Sequence, residues 1–254
     1  MRADLSKPGE RAIGPTSPIQ KSLRIMHEFF NTQPSPDIST DASRNTGLLI
    51  SNHLFSLIEA CGQLNGSGMH SPAVVLLRSL EDALDVFIAV TSVPGAAERW
   101  EKNELKPSDA AKLWVELRGN PHISNGKTLS DYRKGLRHAF NKYSHASYQL
   151  CLWDLYFQPR KKTKKGEGAS GTVEINYPRH VINSNAHSID AHLTAHHLEF
   201  IDAVKNSYFS TINKFERVNE LNELEDEIIL IMKKHDSHGC QNVQEPAELR
   251  RLHN

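Results

Sequence analysis

The feature that most restricts how this chain can fold is the return of apolar residues every three or four positions along several long stretches. Ile50, Leu54, Leu57, Ile58, Cys61 and Leu64 form one such stripe. Ala73, Leu76, Leu77, Leu80, Ala83, Leu84, Phe87 and Ile88 form a wider one. A period near 3.6 places these residues on one side of a helix, and that side must be buried against another element. The wider stripe predicts the central helix of the fold.

Local punctuation frames the helices. Ser17-Pro18 reads as a cap with a first-turn proline, ahead of Ile19, Leu23, Met26 and Phe30. Gln33-Pro34-Ser35-Pro36 stops that helix, and a second runs from near Thr40-Asp41 to about Leu64. Asn65-Gly66-Ser67-Gly68 supplies a turn, Ser71-Pro72 repeats the cap signal, and Pro94-Gly95 ends the third helix. Two short helices follow, around 96–103 and 107–117, with Trp100 and Trp114. A further helix starts at Ser130-Asp131, with Tyr132, Leu136, Ala139, Phe140 and Tyr143 on one face. A last helical region begins near Ser188 and carries Ile201, Val204, Tyr208, Ile212, Phe215, Val218 and Leu221 towards Lys234.

The period changes to two at Tyr148, Leu150 and Leu152, and again at Val173, Ile175 and Tyr177. This predicts a β-hairpin over about 148–177 with a basic tip, inserted in a helical chain. The expected architecture is therefore all-α, an antiparallel helix bundle with a small inserted hairpin. The bundle spans 17–235, between a flexible arm at 1–16 and a peripheral tail at 236–254.

Composition excludes more than it identifies. Lys+Arg and Asp+Glu both number 30, so an anionic partner has to be met by a local patch. Cys61, Cys151 and Cys240 lack paired spacing, which fits reduced thiols. With no apolar leader or membrane-length run, a cytoplasmic protein with no membrane partner is expected. Walker, GxGxxG, GxSxG and HExxH patterns are absent, and no cofactor is expected.

Four groups of residues could carry chemistry. Arg133, Arg137, Asn141 and His145 recur at intervals of four, a helical stripe able to handle phosphate: guanidinium groups neutralise its oxygens and an imidazole exchanges protons near neutral pH. Arg78, Glu81, Asp82 and Asp85 form a second stripe, either a solvated face with local ion pairs or a partner for His145. His192 and His196 lie one turn apart with Glu199 beyond, a spacing open to a divalent metal but equally that of a polar helix face. Arg160, Lys161, Lys162, Lys164 and Lys165 make a basic tip that fits an RNA grip or a solvated loop.

The segments Val75–Leu84 and Tyr132–His145 resemble the helical HEPN superfamily and its abortive-infection and uncharacterised bacterial relatives. That resemblance implies RNA as a partner, a homodimer, and a metal-independent ribonuclease of defence or toxin type. It makes His145 the acid/base, Arg137 or Arg78 the phosphate clamp and Asn141 an orienting group. The superfamily's Arg-to-His spacing is met by Arg133 and His138, yet five residues apart they point to different sides of a helix. Arg137 and His145 are separated by about 12 Å of helical rise, and Phe140 stands where an Arg would precede Asn141. The competing expectation is a non-catalytic module for a protein partner, in which these polar groups fix helix register.

Overall fold

The computed structural model describes residues 17–32, 42–122, 126–143, 155–158, 172–175 and 183–237. Its helices are α1 (Pro18–Thr32), α2 (Ala42–Gly66), α3 (His70–Ser92), α4 (Ala96–Glu101), α5 (Pro107–Leu117), α6 (Leu129–Tyr143), α7 (Asn183–Ser207), α8 (Phe209–Ile212) and α9 (Val218–Ser237). The class is all-α. No described helix is long and apolar enough to cross a membrane.

Cross-helix contacts give the directions of the long helices. Gln20 bonds Glu59 and His27 meets Phe55, so α1 and α2 run antiparallel. Cys61 donates to the Ala73 carbonyl while Gly47 lies against Thr91, which makes α3 antiparallel to α2. Asp85 meets Arg133 and Arg78 meets Asn141, so α6 returns along α3. Helix α7 runs with α3, since Phe87 packs on Phe200 and Ser207 bonds Thr91. Arg217 reaches Glu28 and Lys205 reaches Glu225, which seats α9 against α1 and α7.

Helix α3 packs against α2, α4, α5, α6 and α7. This follows from its wide stripe: Val74, Leu77, Leu84, Phe87 and Val90 are fully buried on successive turns. The Asn65–Gly68 turn reverses the chain because Gly68 adopts φ +77°, a conformation costly for other residues. Asn65 also fixes the start of α7, donating to the Ala186 carbonyl and Asp190 and pairing with His70.

Several boundaries differ from the sequence reading. Helix α3 starts at His70, so Ser71-Pro72 lies in its first turn, and Met69 at the N-cap makes no side-chain cap bond. Helix α7 begins at Asn183, five residues before Ser188. The long C-terminal region is three helices, interrupted at Tyr208 and at 213–217. Tyr132 is 40% exposed instead of belonging to the core face of α6, whose inward positions are Arg133, Leu136 and Phe140. Strands Leu155–Gln158 and Thr172–Ile175 pair antiparallel. The expected first strand at 148–152, the tip residues 160–165, the arm at 1–16 and the tail from 238 onward lie outside the described residues.

Gly47 lets α2 approach its neighbours closely. A Cβ there would stand 2.7 Å from Tyr208 Oη and 2.9 Å from Thr91 Cγ2. Tyr208 is wedged between Phe29 and Phe30, and Thr91 Oγ1 is bonded to the Phe87 carbonyl, so neither yields easily. Gly47→Ala gains about 1 kcal/mol of helix propensity, but overpacking outweighs it. A net loss of about 1–2 kcal/mol is expected in urea unfolding, and a variant as stable as the parent would refute this packing account.

Candidate functional site

Two polar stripes of the same spacing face each other across the α3–α6 contact. Arg78, Glu81, Asp82 and Asp85 fall on one side of α3; Arg133 and Arg137 fall on the α6 face that also carries Leu136 and Phe140. Since the helices are antiparallel, ascending positions on one meet descending positions on the other. Arg133 Nη2 donates to Asp85 Oδ1 at 2.5 Å, and Arg137 Nη2 donates to Asp85 Oδ2 at 2.6 Å. The Trp114 indole N–H from α5 adds a third bond to Asp85 at 3.0 Å. Helix α7 contributes Glu199, which accepts from Arg133 Nη1 at 3.0 Å.

Glu81 and Asp85 are fully buried and Arg133 is 5% exposed. Burial works against the Arg133 charge, but Glu199, Asp85 and Glu81 outweigh it and hold the guanidinium firmly protonated. Burial pushes the Glu81 carboxyl up to about 7, against the pull of Arg133. Asp85 is also raised by burial, although Arg133 and Arg137 pull it back. Asp85 receives strong donors on both oxygens, whereas neither Glu81 oxygen accepts a hydrogen bond among the described residues, and Arg133 stays 3.8 Å from Glu81 Oε1. Of the two acids, Glu81 is therefore the one better placed to hold a proton.

This arrangement corrects the phosphate-handling stripe. Arg133, expected to touch RNA, is sealed inside on three carboxylates. Arg137 remains 18% exposed but is anchored on Asp85. Arg133 and His138 do not converge, because His138 is on the exposed side of α6. Glu81 faces Arg133, while Arg78 takes Asp82 as its ion-pair partner. Arg78 Nε also donates to Asn141 Oδ1 at 2.9 Å, bringing together two predicted site residues 63 positions apart. His145 and the basic tip, Arg160, Lys161, Lys162, Lys164 and Lys165, lie outside the described residues.

The histidine run on α7 is buried, not a polar face. His192, His196 and His197 are 5%, 3% and 0% exposed. His196 Nδ1 donates to the His192 carbonyl at 2.7 Å, and both rings pack on Phe140. His197 Nε2 bonds Ser22 Oγ at 2.6 Å. Glu199, the third member of the metal spacing, is taken by Arg133, and no three potential ligands converge among the described residues. Burial, helped by the neighbouring His196, depresses His192 to about 3. Burial, with Arg133 nearby, lowers His196 to about 4, and burial alone takes His197 to about 3.

Beside this site, sharing Trp114 with it, a cavity of about 440 Å³ opens where α3, α5 and α7 converge, near Ser92, Arg118 and Asp202. Arg118 lies over the Trp114 ring and pairs with Asp202 at 3.3 Å. No protein-family model, curated protein or solved structure matches the chain.

Two outcomes follow from the buried charges. Asp85→Ala leaves two guanidinium groups and an indole N–H without their shared acceptor and is expected to cost about 3–5 kcal/mol, read from denaturant midpoints. A loss below about 1 kcal/mol, the range of a surface pair, would contradict a buried network. The pH dependence of stability is the second. Between pH 4 and 6.5 the unfolded chain protonates three imidazoles that the folded chain keeps neutral, so stability rises with pH. Glu81 and Asp85 oppose this, because the fold holds protons that the unfolded carboxyls release. The three imidazoles outweigh the raised acids. At pH 6.5 the unfolded imidazoles still hold about half of their protons, more in total than Glu81 keeps, so the rise continues to about pH 7 and then flattens. A rise in stability from pH 4 that levels off near pH 7 is expected from melts across this range, and a steady fall from pH 4 would exclude the neutral histidines.

Proposed function

We propose that this chain is an RNA-handling helical protein of HEPN-like type, acting as a metal-independent ribonuclease. The observation that carries the reading is the Arg78–Asn141 hydrogen bond, which sets a partly exposed guanidinium beside Asn141, a residue four positions before His145 in sequence. In this reading Arg78 holds the scissile phosphate and Asn141 orients it. His145 takes the proton of the ribose 2′-hydroxyl as that oxygen bonds to phosphorus to form a 2′,3′-cyclic phosphate, and the same residue of a second chain protonates the 5′-oxygen as its bond to phosphorus breaks. A homodimer is thus part of the proposal. So is a hairpin insert between α6 and α7 whose basic tip grips the RNA backbone in the cytoplasm.

A second reading has its own support. Arg133 and Arg137, two of the cations that would clamp phosphate, are committed to Asp85 and Glu199. Groups so committed fix helix register, as in a non-catalytic helical module for a protein partner.

One assay separates the two. The full chain is incubated with mixed transfer and messenger RNA in chelator, beside His145→Ala and His138→Ala. The ribonuclease reading expects cleavage by the parent, a loss of about 100-fold or more in His145→Ala, and near-parental activity in His138→Ala. Absence of cleavage together with absence of salt-sensitive RNA binding would leave the interaction module.

A further inference from the structure

The outer end of the charged network closes on one carboxylate oxygen shared by two helices. Asp82 Oδ1 pairs with Arg78 Nη1 from the preceding turn of α3, and Arg137 Nη2 lies 3.6 Å away on α6. That oxygen is itself shielded from solvent, yet the Asp82 side chain keeps 28% exposure, and Arg78 and Arg137 keep 17% and 18%. Asn141 fixes Arg78 through Nε, and Asp85 fixes Arg137. The two guanidinium groups are therefore pre-positioned around one oxyanion at the rim, an arrangement suited to phosphate oxygens.

We infer that this is a phosphate-group site for the RNA backbone, with Asp82 as a built-in occupant that an RNA phosphate must displace. The inference rests on the RNA-handling reading and adds how the site is held closed. Charge arithmetic points the same way. With the Glu81 carboxyl holding its proton, Arg78, Arg133 and Arg137 face Asp82, Asp85 and Glu199, three formal charges of each sign. Such a cluster does not attract an anion while Asp82 is ionised. Neutralising Asp82 leaves one positive charge in excess and frees the two rim cations. Asp82 is also unlike Asp85: it lacks the indole donor and the 2.6 Å Arg137 contact, so it is the easier of the two to displace.

The test measures binding by the full chain, without cleavage, using short fluorescent 2′-O-methyl RNA and, separately, inorganic phosphate. The proteins are the parent, Asp82→Asn, Asp82→Ser as a second neutral variant, and Asp82→Asn combined with Arg78→Gln. Asp82→Asn should bind RNA roughly tenfold tighter, the scale of one charge-assisted contact, with a steeper salt dependence and a parallel gain for inorganic phosphate. Adding Arg78→Gln should abolish the gain. Unchanged or weaker binding by both neutral variants would overturn the inference, as would a gain that survives Arg78→Gln, which would mark a general charge effect. A gain for inorganic phosphate alone would overturn RNA as the occupant. Because 2′-O-methyl RNA lacks the attacking hydroxyl, failure of the ribonuclease reading and failure of this inference are read separately.

Discussion

The convergence of Arg133, Arg137 and the Trp114 indole on the Asp85 carboxylate is the interaction on which the rest of the structure depends. Apolar stripes bring α3, α5, α6 and α7 together, but such contacts are non-directional and tolerate sliding by a turn. A buried carboxylate does not, because a shift of one turn would leave an anion and two cations unpaired in a dry interior. The α3–α6 register is thus set by charge and its attraction by hydrophobic burial. The outer contacts inherit that register: Arg78 meets Asn141 because Asp85 has already fixed where α6 lies along α3.

Much of the scaffold was legible in the sequence. The stripes on α2 and α3 and the Asn65–Gly68 and Pro94-Gly95 stops follow from short-range spacing, and the structure adjusts their ends by only a few residues. Arg133 and the α7 histidines were not legible, and for one physical reason. A charged or polar residue on a helix is expected at the surface unless partners offset its desolvation. The partners of Arg133 are 48 and 66 residues away, and Ser22 is 175 residues from His197. One signal was available: the acidic positions 81, 82 and 85 of a helix otherwise apolar around much of its circumference, matched by arginines at 133 and 137 beside Leu136 and Phe140. Read as a pair, those stripes specify a buried interface. Read singly, each resembles a solvated face.

Tyr132 shows the cost of ranking residues by hydrophobicity alone. Assigning Tyr132, Leu136 and Phe140 to the core required Arg133 and Arg137 to point away from it, yet Arg133 at 5% exposure is more buried than Leu136 at 8%. The guanidinium wins the inward position because its two terminal nitrogens donate to Glu199 and Asp85 there, with Glu81 nearby. The tyrosine loses little at the rim, where its hydroxyl keeps access to water.

The network also divides the labour of its arginines by depth. Arg133 is surrounded by acids from two helices and has no exposed surface with which to bind anything else. Arg137 spans both zones, anchored on Asp85 yet reaching Asp82, and Arg78 lies at the rim, paired with Asp82 and Asn141. A cation that binds a transient anion needs a fixed position and a weak resident partner. The inner layer supplies the first by pinning α6, and the rim supplies the second through Asp82. The buried carboxylates that disqualify Arg133 as an RNA contact are therefore what would make Arg78 and Arg137 rigid enough to serve as one. Structural and functional readings of this cluster coexist because they apply to different depths of the same interface.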